Sequence, residues 1–218
     1  MRPIPLRGYG RVAKKRIRRV GVFLNIPYDQ KFERLYLAYI CGISSYGLIP
    51  HATLELRSSE RRLDRILNLI KSCRYSIHDL SRVEVDRKHP PTPRFNMPFE
   101  LGLSIGWERL GSNHHTWFLY ETQDYRLAKS LSDVNGTDAY IHEGTIDGVF
   151  REICNTFVRL SRQPSVDQMW CVYREVRKSI PGIMKSTRAK SIFEPRAFKD
   201  ICVLASASAN RHVGLAGP

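Results

Sequence analysis

The sequence predicts an α/β sandwich, flavodoxin-like or Rossmann-like, in which a five-stranded, mainly parallel sheet is covered by helices and followed by extra C-terminal helices. Three observations predict it. From Val20 onward, short apolar runs alternate with longer amphipathic ones, as expected of β-α units stacked on a parallel sheet. About five strands and five helices fit before residue 162. The chain has 218 residues, 42% of them hydrophobic, which suits one domain with a real core.

The first strand is read at Val20 to Ile26, and Pro27-Tyr28-Asp29 ends it. Phe32, Leu35, Tyr36, Tyr39 and Ile40 then recur at helical spacing until the turn at Ser44 to Gly47. A second strand is expected at Leu48 to Leu54. The helix after it carries Leu63, Ile66, Leu67 and Ile70 on one face, with Ser58 or Ser59 as N-cap. Tyr75 to Leu80 is the third strand. The polar, proline-bearing loop from Ser81 to Asn96 is long for a β-α connection, and such loops are often functional. Pro98 suits the first turn of a helix that runs through Glu100, Leu103 and Trp107 toward Gly111. A strand at Thr116 to Glu121, a short helix around Tyr125 to Leu131, a strand at Ala139 to His142 and a helix from Ile146 to Leu160 follow. Beyond Gln163-Pro164, helices are expected over Val166 to Ile180 and Pro195 to Ala207, separated by Pro181-Gly182. The organisation is then a basic flexible leader (1–19), an α/β domain (20–162), a helical extension (163–207) and a disordered tail (208–218).

The formal charge is +14, and residues 1–20 hold eight basic residues and no acid, so the rest of the chain carries +6. That leader could touch nucleic acid or an anionic surface, but it lacks the interleaved aromatics of a stacking platform, and a solvated leader is the plainer reading. The apolar stretch after Arg19 is short and reads as a strand rather than a secretory signal. No apolar run approaches the ~20 residues of a membrane span. Cys41, Cys73, Cys154, Cys171 and Cys202 are odd in number with no close pairs, so reduced thiols, a cytoplasmic setting and no metal clip are expected. No Gly-x-Gly-x-x-Gly and no P-loop pattern occurs. Gly102-Leu103-Ser104-Ile105-Gly106 matches a hydrolase elbow only formally, since it falls inside the expected helix; Gly102 and Gly106 would instead let that helix approach the sheet.

In an open parallel sheet, ligands bind outside the carboxyl ends of the strands. Asn25, Pro27 and Tyr28 reach that edge from the first strand, Asp79 and Ser81 from the third, and Asn96 and Glu100 from the helix after the long loop. A carboxylate in or near a first helical turn is held ionised by the helix dipole, by about 0.3–1 kcal/mol, which suits a nucleophile. The plainer reading of Glu100 is that it only balances the dipole.

Phe99-Glu100-Leu101-Gly102-Leu103-Ser104-Ile105-Gly106 resembles the helix start of nucleoside 2-deoxyribosyltransferases and related nucleotide N-glycosidases, a fold group that includes TIR domains. Val22 to Tyr28, Tyr46 to Pro50 and Ile70 to Ser81 are similar, in order, to that group's first strand, second strand and third strand with its binding Asp. The run Arg94-Phe95-Asn96-Met97-Pro98-Phe99-Glu100-Leu101-Gly102 looks closer still to bacterial TIR-like proteins of unassigned function. The resemblance spans about residues 20–160. It implies Glu100 as nucleophile at the anomeric carbon, Asp79 orienting the base, and Asn25, Pro27, Tyr28, Ser81, Arg94, Phe95 and Asn96 lining the site.

One departure from the pattern is Arg94, where the transferases usually carry an Asp for the sugar hydroxyl. A cation there, with Arg82, Arg87 and Lys88 in the same loop, favours a phosphorylated substrate; an exposed basic loop without ligand is the other reading. The function expected is nucleotide N-glycosidase or glycosyl transfer, NAD being one possible substrate rather than a cofactor, in a protein that could assemble as a homo-oligomer. The alternative is a non-catalytic TIR-like nucleotide-sensing or protein-interaction module, and either would suit bacterial defence or stress signalling.

Overall fold

The computed structural model describes residues 20–55, 61–83, 85, 86, 89, 91–110, 115–134 and 136–214. The leader 1–19, Ser58, Ser59, Arg87, Lys88 and residues 215–218 lie outside these. The strands are β1 (Gly21–Asn25), β2 (Ile49–His51), β3 (Tyr75–Asp79), β4 (Val85–Asp86), β5 (Thr92–Pro93), β6 (Thr116–Glu121) and β7 (Tyr140–Ile141). The helices are α1 (Glu33–Ser45), α2 (Arg62–Ser72), α3 (Asn96–Arg109), α4 (Arg126–Ser130), α5 (Ile146–Thr156), α6 (Val166–Thr187) and α7 (Pro195–His212).

Five strands form one sheet in the order β2-β1-β3-β6-β7, with every neighbouring pair parallel. With the antiparallel β4-β5 hairpin set aside, this is the flavodoxin-like order. The chain leaves β1 toward β2 on one side and β3 toward β6 on the other. The strand order therefore reverses between β1 and β3, and the crevice beyond their carboxyl ends is the place where a ligand would sit.

Alternation along the strands separates the two faces. Val22, Leu24, Ile77 and Tyr120 join a large cluster with α1, α5, α6 and α7, whereas Phe23 packs with Ile66, Leu69 and Ile70 of α2. Met97 and Leu101 of α3 pack with Leu119 and Leu127. Residues Leu35 through Ser45 of α1 are all buried, because the sheet covers one side of the helix while α6 and α7 cover the other.

The extension at 163–207 is therefore part of the core. Helix α6 begins at a capping box formed by Ser165 and Gln168 and continues through Pro181-Gly182, where the sequence suggests a break. Pro181 is exposed, so the Arg177 carbonyl that its missing N–H leaves without a helix bond lies on the solvent side, where water can satisfy it. The helix stops at Arg188, in the left-handed region at φ 53°. The expected disordered tail is also corrected: α7 continues to His212, with Ser208 and Ala209 buried. Glu175 of α6 holds that end, accepting from Ser208 Oγ at 2.6 Å and from His212 Nε2 at 3.0 Å, with Arg211 also on the carboxylate.

The second strand is shorter than expected, because the chain leaves the sheet after His51 into a 3-10 turn at Thr53–Glu55. Glu55 closes that turn by accepting the Ala52 N–H at 3.3 Å and meeting His51 Nδ1 at 2.9 Å. Helix α2 begins at Arg62, after Arg61 as N-cap without a side-chain cap bond. Gly102 and Gly106 do not bring α3 onto the sheet; a Cβ at either would meet no atom within 4 Å, and the buried face carries Met97, Leu101 and Ser104.

Gly148 is the glycine whose lack of a side chain the fold requires. A Cβ there would lie 2.0 Å from the His142 carbonyl oxygen, because the first turn of α5 is drawn onto the end of β7 by the Thr145 cap. Gly148→Ala is expected to destabilise the protein by about 3 kcal/mol, measured by urea denaturation.

Among the described residues no helix is long and apolar enough to cross a membrane. All five cysteines are free, with Cys41 and Cys73 buried.

Candidate active site

The crevice is built on two buried polar groups. On the α2/α3 face, the Asn25 amide donates to the Met97 carbonyl at 3.0 Å and to His78 Nδ1 at 2.9 Å. The His78 proton is then on Nε2 and donates to Ser76 Oγ at 2.9 Å. The Ser76 hydroxyl in turn donates to His115 Nε2, and His115 Nδ1 to the Cys73 carbonyl, both at 2.9 Å. Burial, with His115 nearby, pushes His78 down to about 3, and burial also lowers His115, so both rings are neutral links. Asn25 thus ties the first turn of α3 to β1 and β3. Asn25→Leu leaves a carbonyl and a ring nitrogen without their donor and is expected to cost about 3 kcal/mol by chemical denaturation.

On the other face, Asp79 is fully buried. Its Oδ2 accepts from the Tyr39 hydroxyl at 2.7 Å and lies 3.2 Å from His142 Nε2, while Oδ1 accepts the Ser81 N–H at 2.9 Å. Gly144 N–H donates to His142 Nδ1 at 3.2 Å, which puts the ring proton on Nε2, toward the carboxylate. Burial pushes the Asp79 carboxyl up, but the His142 ring beside it and the bond from Ser81 outweigh it and hold it below the ordinary range. Asn25 and Asp79 both make their contacts inside the fold and fix the two strand ends.

Glu100 is different. It is 3% exposed and sits at the fifth position of α3, beyond the first turn, which has no acid. The expectation that the dipole keeps it ionised is corrected: burial dominates and raises its carboxyl to about 7, with Arg62 pulling the other way. Arg62 Nη2, at the start of α2, is 3.5 Å from Glu100 Oε1 and is itself largely exposed. Tyr28 feels the charge of both, and burial drives its hydroxyl far above the ordinary tyrosine range. That hydroxyl donates to the Leu24 carbonyl at 3.1 Å. Pro27 is buried beside it.

Around the rim, Asn96 is exposed, and so are the rings of Phe95 and Phe99, one helical turn apart. Ser81 is buried beneath, its carbonyl and that of Leu80 accepting from Arg126 at 3.0 and 3.1 Å. Arg94 Nη1 meets Asp29 Oδ2 at 3.2 Å, and Arg82 Nε meets the same oxygen at 3.0 Å. A cleft of about 500 Å³ is lined by Tyr28, Asp29 and Glu33 after β1 and by Lys190, Ile192 and Phe193 between α6 and α7.

Arg62, Phe99 and Asp29 were not expected from the sequence. Phe99 lies in the motif beside Glu100 and could have been found; nothing local marks which arginine reaches a carboxylate 38 positions away. No family model, no curated protein and no solved structure matches this chain.

Proposed function

We propose that the protein cleaves or transfers at the N-glycosidic bond of a nucleotide, with Glu100 as the carboxylate that meets the anomeric carbon. The observation that carries the reading is Glu100 itself, a buried acid at the topological switch point whose one ion-pair partner among the described residues is mostly in solvent. A structural role does not call for that arrangement, because burial there disfavours the charged form.

In the reaction, the bond from the anomeric carbon to the base nitrogen breaks and its electron pair leaves with the base, which takes up a proton. Ionised Glu100 supports the positive charge that develops on the sugar and closes on it as a glycosyl ester; water or an acceptor hydroxyl then forms the new C–O bond, losing a proton and freeing the carboxylate. Phe95 and Phe99 offer exposed rings for a base to stack on. Asp79 and Asn25 act as positioning residues, and the free thiols suit a reducing, cytoplasmic setting.

A non-catalytic TIR-like binding module is favoured by one observation, that the second acid expected at the site, Asp79, is consumed inside the fold. The readings separate on one assay. Wild type and Glu100→Gln, each at high and low protein concentration, are incubated with NAD, NADP and ribo- and deoxynucleotides, and free base is measured by chromatography. Release by wild type alone supports the enzyme; no release from any compound at either concentration leaves the binding module.

A further inference from the structure

We infer that Arg82 and Arg94 form a phosphate clamp for the nucleotide, with Asp29 as an internal stand-in that the phosphate displaces. Three segments meet there. Asp29 follows β1, Arg82 follows β3, and Arg94 precedes α3, so the cluster lies at the crevice between the two central strands. Arg82 and Arg94 also flank the β4-β5 hairpin, one before and one after, and both reach the same oxygen, Asp29 Oδ2. One carboxylate offsets one of the two guanidinium charges. The remaining charge lies on two guanidinium groups that each place one nitrogen by the same oxygen, Arg94 with a hydrogen bond and Arg82 with a buried Nε that has none, and it suits a phosphate or diphosphate group, whose several oxygens can meet both.

Among the described residues, the charges lining the adjoining cleft do not cancel the excess. Lys190 and Glu33 line the same cleft as Asp29, one of each sign. Asp29 has a second task that persists when its Oδ2 is vacated, because Oδ1 accepts the Phe32 N–H at 3.2 Å and caps the turn before α1. The clamp is braced from below, since Arg126 holds the Leu80 and Ser81 carbonyls just ahead of Arg82. The inference rests on the glycosidase reading only for the nucleoside attached to the phosphate.

Asp29→Asn decides between a clamp and a mere staple for the hairpin. Asparagine keeps the cap acceptor but gives up the charge that competes with phosphate. Calorimetric titration of the full chain with inorganic pyrophosphate at low ionic strength is expected to show saturable binding, tightened at least threefold by Asp29→Asn and weakened at least tenfold by Arg94→Gln. AMP is expected to displace the pyrophosphate, and adenosine is not. Weaker binding by Asp29→Asn, or no saturable binding by either it or wild type, overturns the clamp. Displacement by a single-stranded oligonucleotide but not by AMP overturns the nucleotide as its ligand. Pyrophosphate binding without base release from any nucleotide counts against the glycosidase alone, and base release without pyrophosphate binding counts against the clamp alone.

Discussion

Glu100→Gln is expected to lower base release by about 10³-fold or more while making the protein more stable above neutral pH. The two effects share a cause. The wild-type carboxyl is raised from the ordinary 4.5 to about 7, so between those values the folded protein binds a proton that the unfolded chain has released. Stability must then fall as pH rises through that window, by about 1.4 kcal/mol per unit and about 3 kcal/mol in all. Glutamine never charges and escapes the loss. In urea denaturation the variant should match wild type below about pH 4 and exceed it by up to about 3 kcal/mol at pH 8. Base release by wild type should climb about tenfold per pH unit below about 7 and level off above it, because the nucleophile must be ionised. A rate that falls above about 7 would instead make Glu100 a proton donor, and a variant with full activity would remove it from the chemistry.

The second large effect is structural. His142→Leu is expected to cost about 3–5 kcal/mol and to lower Tm by about 10 °C or more, because it strands a fully buried Asp79 carboxylate with only Tyr39 and Ser81 as partners. Adding Asp79→Asn should recover at least half of that loss, since the cost lies in the unpaired charge more than in the missing ring. A double variant no better than the single would locate the cost in packing around Tyr39 and Tyr120, whose rings stand 5.5 Å apart. Because the Asp79 carboxyl is depressed, its contribution is present above the ordinary aspartate pKa and disappears as pH falls through the lower folded value; acid is the side on which this pair fails.

What the sequence showed, and what it withheld, follows the range of the interactions. The first and third strands, each ending one residue before the expected Ile26 and Leu80, the Pro27 turn and the start of α3 within two residues of Pro98 are encoded by neighbours and legible directly. That the strands run mainly parallel is legible in the helical spacing between them, whereas their order is not. Pro181 misled because a proline cost is local whereas α6 is held by packing of Met169, Val172, Tyr173 and Val176 along its length. The roles of Asn25 and Asp79 were hidden for the same reason. The place of each at the sheet edge suggests a ligand contact, and only tertiary structure reveals Met97, 72 residues on, against Asn25 and His142 against Asp79. Glu100 could be singled out by position, but the burial that raises its carboxyl could not.

The sandwiching of α1 has a consequence for biosynthesis. Its sheet-facing side can be covered once β1 and β3 have paired, but its opposite side needs Phe198, Ile201 and Ala205 of α7. On a ribosome, α1 emerges well before α7 and must therefore wait for it before its apolar surface is closed. Throughout that interval a nascent chain carries an open, sticky flank, which makes this a protein expected to engage a chaperone during translation and to be rid of it only when residues 195–212 dock.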